Sequence, residues 1–329
     1  MMNFDYSIVI RTLGNTGDKY RCMLDAIARQ TMKPKEIIVV IPEGYALDHK
    51  IGTERVVYSK KGMVTQRVEG IEHSNSDYLL VLDDDIDFPD DFVEKMHQTM
   101  QEKNLDCVLA SGNWNRTGTA CDQEGGLVKT NELSLVQRWK YAFTGRAFYS
   151  HRKSKYYDVI TRSGGHRTFV RCEEGLCQTG CFQCFFIKSD AAKAARFGED
   201  LWLEQGTITS YAAYDDSVFF YKCFLLGKRI AYTGITDYTH LDAGAGRQSN
   251  DKLTAKRIRL YSIARNRTIF WRRYIWPNRR GLFTLIGGAY GIVNYAIFNI
   301  VANISPKNWP AVGALLQGYR EAFQYRIKP

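Results

Sequence analysis

Three stretches leave the chain little choice of architecture: YSIVIRT (6–12), KEIIVVIP (35–42) and DYLLVLD (77–83). Each is a short, near-continuous run of β-branched and aliphatic residues. Such strands need cover on both faces. RVVYSK (55–60) reads as a further strand, and KYRCMLDAIARQ (19–30) and GMVTQRVEGIEHS (62–74) carry apolar residues at helical spacing. Strand alternating with helix predicts an α/β fold, with a Rossmann-like, mostly parallel central sheet and helices on both faces. The 329 residues, 45% of them hydrophobic, suffice for a large core. Ligands on such sheets bind beyond the carboxyl ends of the strands.

The 77–83 strand runs into LLVLDDDIDF (79–88). Adjacent carboxylates repel, and are tolerable in water or around a cation. Alternate residues of an extended segment face the same way, so Asp83 could share a site with Asp85, or Asp85 with Asp87. The first register is preferred, because Leu82 is the last clearly buried position. In isolation the cluster reads equally well as a solvated acidic loop, and Asp90 could cap a helix starting near Phe92. A second acid pair, Asp215 and Asp216, opens the amphipathic stretch AYDDSVFFYKCFLLGKRIAY (213–232). Its bland reading is a helix cap, since the helix dipole favours negative charge there.

Taken in order, YSIVIRTLG, EIIVVIPEG, KKGMVTQRVEGIEHSNSDYLLVLDDD and YDDSVFFYKCFLLGKRIAY resemble the family-2 inverting glycosyltransferases of the GT-A fold, over roughly residues 5–245. The resemblance implies a nucleotide-sugar donor, a UDP-sugar first, with Mn²⁺ or Mg²⁺ as cofactor. Asp85 would bind the metal, and His240 would complete the metal or diphosphate site. Asp83 and Asp84 would contact the nucleoside, Arg67 would face the nucleotide, and Arg11 and Thr12 would line the base and ribose pocket. Asp216 would be the general base, with Asp215 as fallback. One departure stands out: the family carries aspartates after the second strand, where this chain has VIPEG, so Glu43 would substitute from one residue further on. Gly244 and Gly246 would permit a mobile lid that brings Arg247 to a phosphate.

Charge sets off the C-terminus. The formal net charge is +10, yet from Arg247 onward there are 15 basic and 2 acidic residues, against 30 and 33 before it. Such an excess calls for an anionic partner, a membrane surface or nucleic acid. KLTAKRIRLYSIARNRTIFWRRYIW (252–276) reads as a basic helix. GLFTLIGGAYGIVNYAIFNIVANIS (281–305) carries no charge and is long enough to span a bilayer. On a helix its small and polar residues (Thr284, Gly287, Gly288, Gly291, Asn294, Tyr295, Asn299) share one face. Leu282, Ile286, Val293, Ile297, Ile300 and Ile304 share the other. A one-sided helix beside a basic segment suits lying in the interface, with Trp271, Trp276 and Trp309 as anchors. A helix packed on the catalytic domain is the plainer alternative.

The expected organisation is a nucleotide-sugar-binding half (1–105), an acceptor-side half carrying the base (106–246) and a basic, membrane-associating helical extension (247–329). MMNFDYSIVIRT lacks the pattern of a secretory signal, and the eight cysteines read as reduced thiols. Of Cys172, Cys177, Cys181 and Cys184, only the last two have knuckle spacing, so structural zinc is not expected. The placement predicted is cytoplasmic, peripheral on the cytoplasmic face of the membrane, with a glycan or lipid-linked acceptor and no nucleic acid. Two alternatives stand beside it. A nucleic-acid-binding protein leaves both acid clusters unexplained. A nucleotidyltransferase would want a glycine-rich basic loop after the first strand, which RTLGNTGDK only faintly provides.

Overall fold

In a computed structural model of the chain, residues 4–114, 148–241 and 249–327 are described. β1 (Tyr6–Arg11), β2 (Glu36–Pro42), β3 (Glu54–Ser59) and β4 (Tyr78–Asp83) lie in the order β3-β2-β1-β4, every neighbouring pair parallel. Alternate side chains of these strands enter different cores. Ile8, Ile10, Leu80 and Leu82 pack with α1 (Asp18–Arg29) and α3 (Phe92–Glu102). Val9, Val40, Leu79 and Val81 pack on the opposite face with Val64 and Ile71 of α2 (Met63–Glu72). Burial on both faces is why the strands show no polar alternation.

Beyond β4 the sheet is mixed. β9 (Cys184–Lys188) runs antiparallel between β4 and β6 (Cys107–Trp114), and β10 (Ile230–His240) lies parallel to β6. The hairpin of β7 (Phe148–Ile160) and β8 (His166–Cys177) closes that edge. The short β5 (Ile86–Asp87) pairs with the end of β10, placing Ile86 opposite His240.

α4 (Ser189–Ala194) follows β9, and α5 (Asp215–Leu225) carries the second acid pair. Between them a 3-10 segment (Phe197–Glu204) ends in a carboxylate that caps α2. Glu204 accepts from the backbone N–H groups of Val64, at 2.9 Å, and Thr65, at 3.3 Å. α2 has no side-chain cap of its own, so this distant acid satisfies donors that the helix leaves open.

The C-terminal extension folds as α6 (Lys252–Phe270), a π turn (Trp271–Ile275), α7 (Leu282–Val301) and α8 (Trp309–Gln324). Much of its basic charge is engaged internally. Arg265 donates to the carbonyls of Trp202 and Gln205, Arg267 to that of Ser163, and Arg279 to that of Ile160. Arg272 donates to three carbonyls at the end of α8 and just beyond it. The basic segment is therefore largely a clamp on the α/β part of the chain, and offers less free charge than its sequence implies.

α7 is two-faced as the periodicity predicts. Thr284, Gly288, Gly291, Asn294, Tyr295 and Asn299 are buried. A Cβ on Gly288 would enter the Trp271 indole, and one on Gly291 would lie 2.7 Å from the Ser163 carbonyl. The apolar face points outward: Phe283 is 73% exposed and Ile304 74%. Trp271, expected as an anchor, instead packs under this helix and donates to the Arg162 carbonyl at 2.8 Å. Of the expected anchors, only Trp309 is well exposed, at 64%, while Trp276 is half-buried.

Candidate active site

The carboxyl ends of β1 and β4 lie side by side, with Arg11 in register with Asp83. Each acid of the cluster has its own partner. Asp83 meets Arg11 at 3.0 Å and Arg67 at 3.2 Å. Asp84 accepts from the Thr12 hydroxyl, which in turn accepts from the Gly14 N–H at 2.8 Å. Asp85 lies 3.5 Å from Nε2 of His240. Burial pushes the Asp84 carboxyl up to about 6, against the pull of Thr12 and Arg11. Asp87 and Asp90 turn to the surface and share Arg29, at 3.4 and 3.0 Å. Asp87 thus pairs with Arg29 while Asp85 meets His240, and the N-cap of α3 is Asp91, not Asp90.

Arg67, on the face of α2 that meets the acids, is buried. It is 3% exposed, with its guanidinium 4.1 Å from the centre of the Phe182 ring. It bridges Asp83 on β4 and Asp215 at the head of α5. Tyr214, just before the pair, has φ of 75°, a left-handed conformation that costs a non-glycine residue free energy and marks a constrained site. Burial pushes Asp215 up to about 6 despite Arg67, and raises Asp216 as well. Among the described residues no Lys or Arg forms an ion pair with Asp216. Its Oδ1 accepts from the Ser217 N–H at 2.6 Å and hydroxyl at 3.2 Å.

The acids of β4, Arg67 and the acids of α5 thus form one connected cluster, though 148 residues separate Arg67 from Asp215. Asp85 and His240 are 7% and 9% exposed. Among the described residues, no three His, Cys, Asp or Glu side chains gather closely enough to hold a metal unaided. The oxygen and imidazole donors of Asp85 and His240 fit a cation that keeps its remaining positions for phosphate and water. Glu43 is exposed just past β2, its backbone N–H bonded to the Ser59 carbonyl at 2.9 Å. Arg247, Gly244 and Gly246 lie outside the described residues. Cys181 sits beside Asp216, its thiol pushed up to about 12 by burial and by that acid. Sequence reasoning missed His166, whose Nε2 is 2.8 Å from the Ser217 hydroxyl; HRTFV carries no local motif that would have singled it out.

No match to a curated protein was found. Among solved structures the chain is similar to residues 1–349 of TarS from S. aureus, with 11% identity and a TM-score of 0.45, over 98% of this chain and 93% of that one. Residues 55–171 match the profile of glycosyl transferase family 2. The matched stretch contains α2 with Arg67, all of β4 and its acid cluster, set on the parallel part of the sheet. Over that stretch, the chain resembles glycosyl transferase family 2.

Proposed function

We propose that this protein is a metal-dependent inverting glycosyltransferase that moves a sugar from a nucleoside diphosphate donor, a UDP-sugar first, to a glycan on a lipid carrier during polysaccharide synthesis. The observation that carries this reading is the division of labour between the two acids of α5. Asp215 is neutralised by Arg67 and ties α5 to the acid cluster. Asp216, next to it, forms no ion pair among the described residues, so its carboxylate is not committed to a cation, and burial raises it above the ordinary aspartate value. Asp216 takes the proton of the acceptor hydroxyl as that oxygen bonds to the anomeric carbon. The bond from that carbon to the diphosphate oxygen breaks on the opposite face, which inverts the centre.

Arg11, Thr12, Asp83 and Asp84 line the nucleoside side, and Glu43 is the nearest acid for the base. Arg67 acts here through the carboxylates it holds. Asp85 and His240 would hold Mn²⁺ or Mg²⁺, which supplies charge neutralisation for the leaving diphosphate. Arg247 is the proposed further phosphate contact.

The acceptor class rests on α7 and α8. Leu282, Ile286, Val293, Ile297 and Ile304 of the α7 region, with Trp309, Leu316 and Phe323 of α8, expose a broad apolar surface. Around it stand exposed cations: Arg162, which lies over the Phe283 ring at 5.8 Å, and Arg280, Lys307 and Arg320. An apolar face rimmed by positive charge complements an anionic bilayer, where a lipid-linked glycan resides. This supports peripheral attachment on the cytoplasmic face rather than nucleic-acid binding, which needs no apolar face.

The test is release of UDP from a panel of UDP-sugars, with Mn²⁺, with Mg²⁺ and with a chelator. Cation-dependent turnover that falls by about 10²–10⁴ in Asp216→Asn, with donor binding kept, is the expected result. Wild-type turnover in that variant, or a loss confined to Asp215→Asn, overturns the assignment of the base.

A further inference from the structure

We propose that His166, acting through Ser217, is the positioning residue of the base Asp216, in a hydrogen-bond chain that runs from the β7–β8 hairpin to the head of α5. The inference rests on the assignment of Asp216 given above. The Ser217 hydroxyl is 3.2 Å from Asp216 Oδ1 and 2.8 Å from His166 Nε2. A hydroxyl has one hydrogen. If it points to the carboxylate, the second contact exists only when Nε2 carries the ring hydrogen and donates to Oγ. The Ser217 N–H adds a bond to the same Oδ1 at 2.6 Å. Oδ1 is thereby fixed, and Oδ2 is left for the acceptor hydroxyl.

The imidazole is itself held in place. His166 follows the 161–165 turn, closed by the Thr161 N–H to the Gly165 carbonyl at 2.8 Å. Arg267 of α6 bonds the Ser163 carbonyl in that turn, and Trp271 bonds that of Arg162. Two groups elsewhere bear on the charge of His166: Asp158 of β7, which favours the charged form, and Arg267, which opposes it. Burial is the largest effect, and the ring's pKa lies below the ordinary histidine value. A neutral imidazole is what the chain needs, since it donates from Nε2 without adding a counter-charge to the base. Asp216 in turn is faced by Asp215, Arg67, Asp158, Cys181, Tyr211 and Tyr214. None of these replaces the hydroxyl bond.

A donated hydrogen bond favours the ionised carboxylate, so losing it raises the proton affinity of Asp216. The experiment is NMR of the full chain with ¹³C-labelled aspartate carboxyls and ¹⁵N-labelled histidine rings, titrated without substrate. His166 is expected to carry its hydrogen on Nε2. The Asp216 midpoint should rise by about one pH unit in Ser217→Ala and His166→Ala, and return toward wild type in His166→Gln, whose amide still donates. UDP release from the best-turned-over UDP-sugar should lose kcat in the two alanine variants with KM unchanged. A His166 hydrogen on Nδ1, or an unmoved midpoint in both alanine variants, would overturn the inference. Should Asp216→Asn be inactive while the midpoints stay unmoved, the inference alone falls. Should Asp216→Asn turn over normally, the base assignment falls and the inference with it.

Discussion

The Arg67 guanidinium grips the Asp215 carboxylate while also holding Asp83, so one buried arginine joins the end of β4 to the head of α5. Removing one partner of a buried ion pair strands the other and costs about 3–5 kcal/mol. Arg67→Met should therefore lower the urea midpoint strongly. Adding Asp215→Asn should recover part of that loss, because it removes the stranded charge. A double variant no more stable than the single one would show that Arg67 acts by packing on Phe182 instead.

That link marks the limit of what the sequence discloses. The parallel unit and both acid pairs were legible because each is local: a run of β-branched residues, a run of aspartates, an acid pair before an amphipathic segment. The partners of those acids were not, because they meet through tertiary packing. The resemblance places Arg67 toward the nucleotide but says nothing of its grip on Asp215, and His166 has no neighbours in sequence that announce it. The two faces of α7 could be read from periodicity, but not which face turns inward. Gly288 and Gly291 decide that, by letting the helix approach Trp271 and Ser163 closely. The arginines of α6 read as free charge for the same reason, since the carbonyls that bind them lie more than fifty residues away.

A metal held by Asp85 and His240 makes nucleotide affinity depend on the cation. Calorimetry with UDP and Mn²⁺ should show Asp85→Asn losing the Mn²⁺-dependent part of binding, while Asp87→Asn, which only releases Arg29, keeps it. Equal metal-dependent affinity in wild type and Asp85→Asn would remove Asp85 from the cation site.

Asp158 gives a stability prediction with a definite sign. Burial raises its carboxyl to about 6 from an ordinary 3.8, with His166 opposing and Asp216 adding to the rise. The folded state therefore holds the proton more tightly than the unfolded chain. This contribution favours the fold below about pH 4 and is lost as pH rises through about 6. Asp158→Asn keeps an oxygen acceptor for Thr168 but carries no charge. Its stability relative to wild type should improve from about pH 4 to about pH 7 in urea titrations. A difference constant with pH, or one moving the other way, would refute the burial argument.

The exposed face of α7 yields the last prediction. Ile286, Val293 and Ile297 are 54%, 50% and 46% exposed, so replacing all three with serine removes little from the core and should leave the urea midpoint near wild type. If the face enters a bilayer, each loses about 1 kcal/mol of transfer free energy, after allowance for what the fold already covers. Three such losses weaken vesicle binding by about a hundredfold. Sedimentation with phosphatidylglycerol vesicles should then recover the wild type and leave the triple variant in solution. Vesicles of phosphatidylcholine alone should bind the wild type more weakly, since they offer Arg162, Arg280, Lys307 and Arg320 no counter-charge. High salt should reduce binding without abolishing it, because the apolar contribution is not screened. Equal sedimentation of wild type and triple variant would sink the bilayer as occupant of this face. A wild type that ignores vesicles but runs in light scattering at twice the mass of the variant would assign the face to a second copy of the chain.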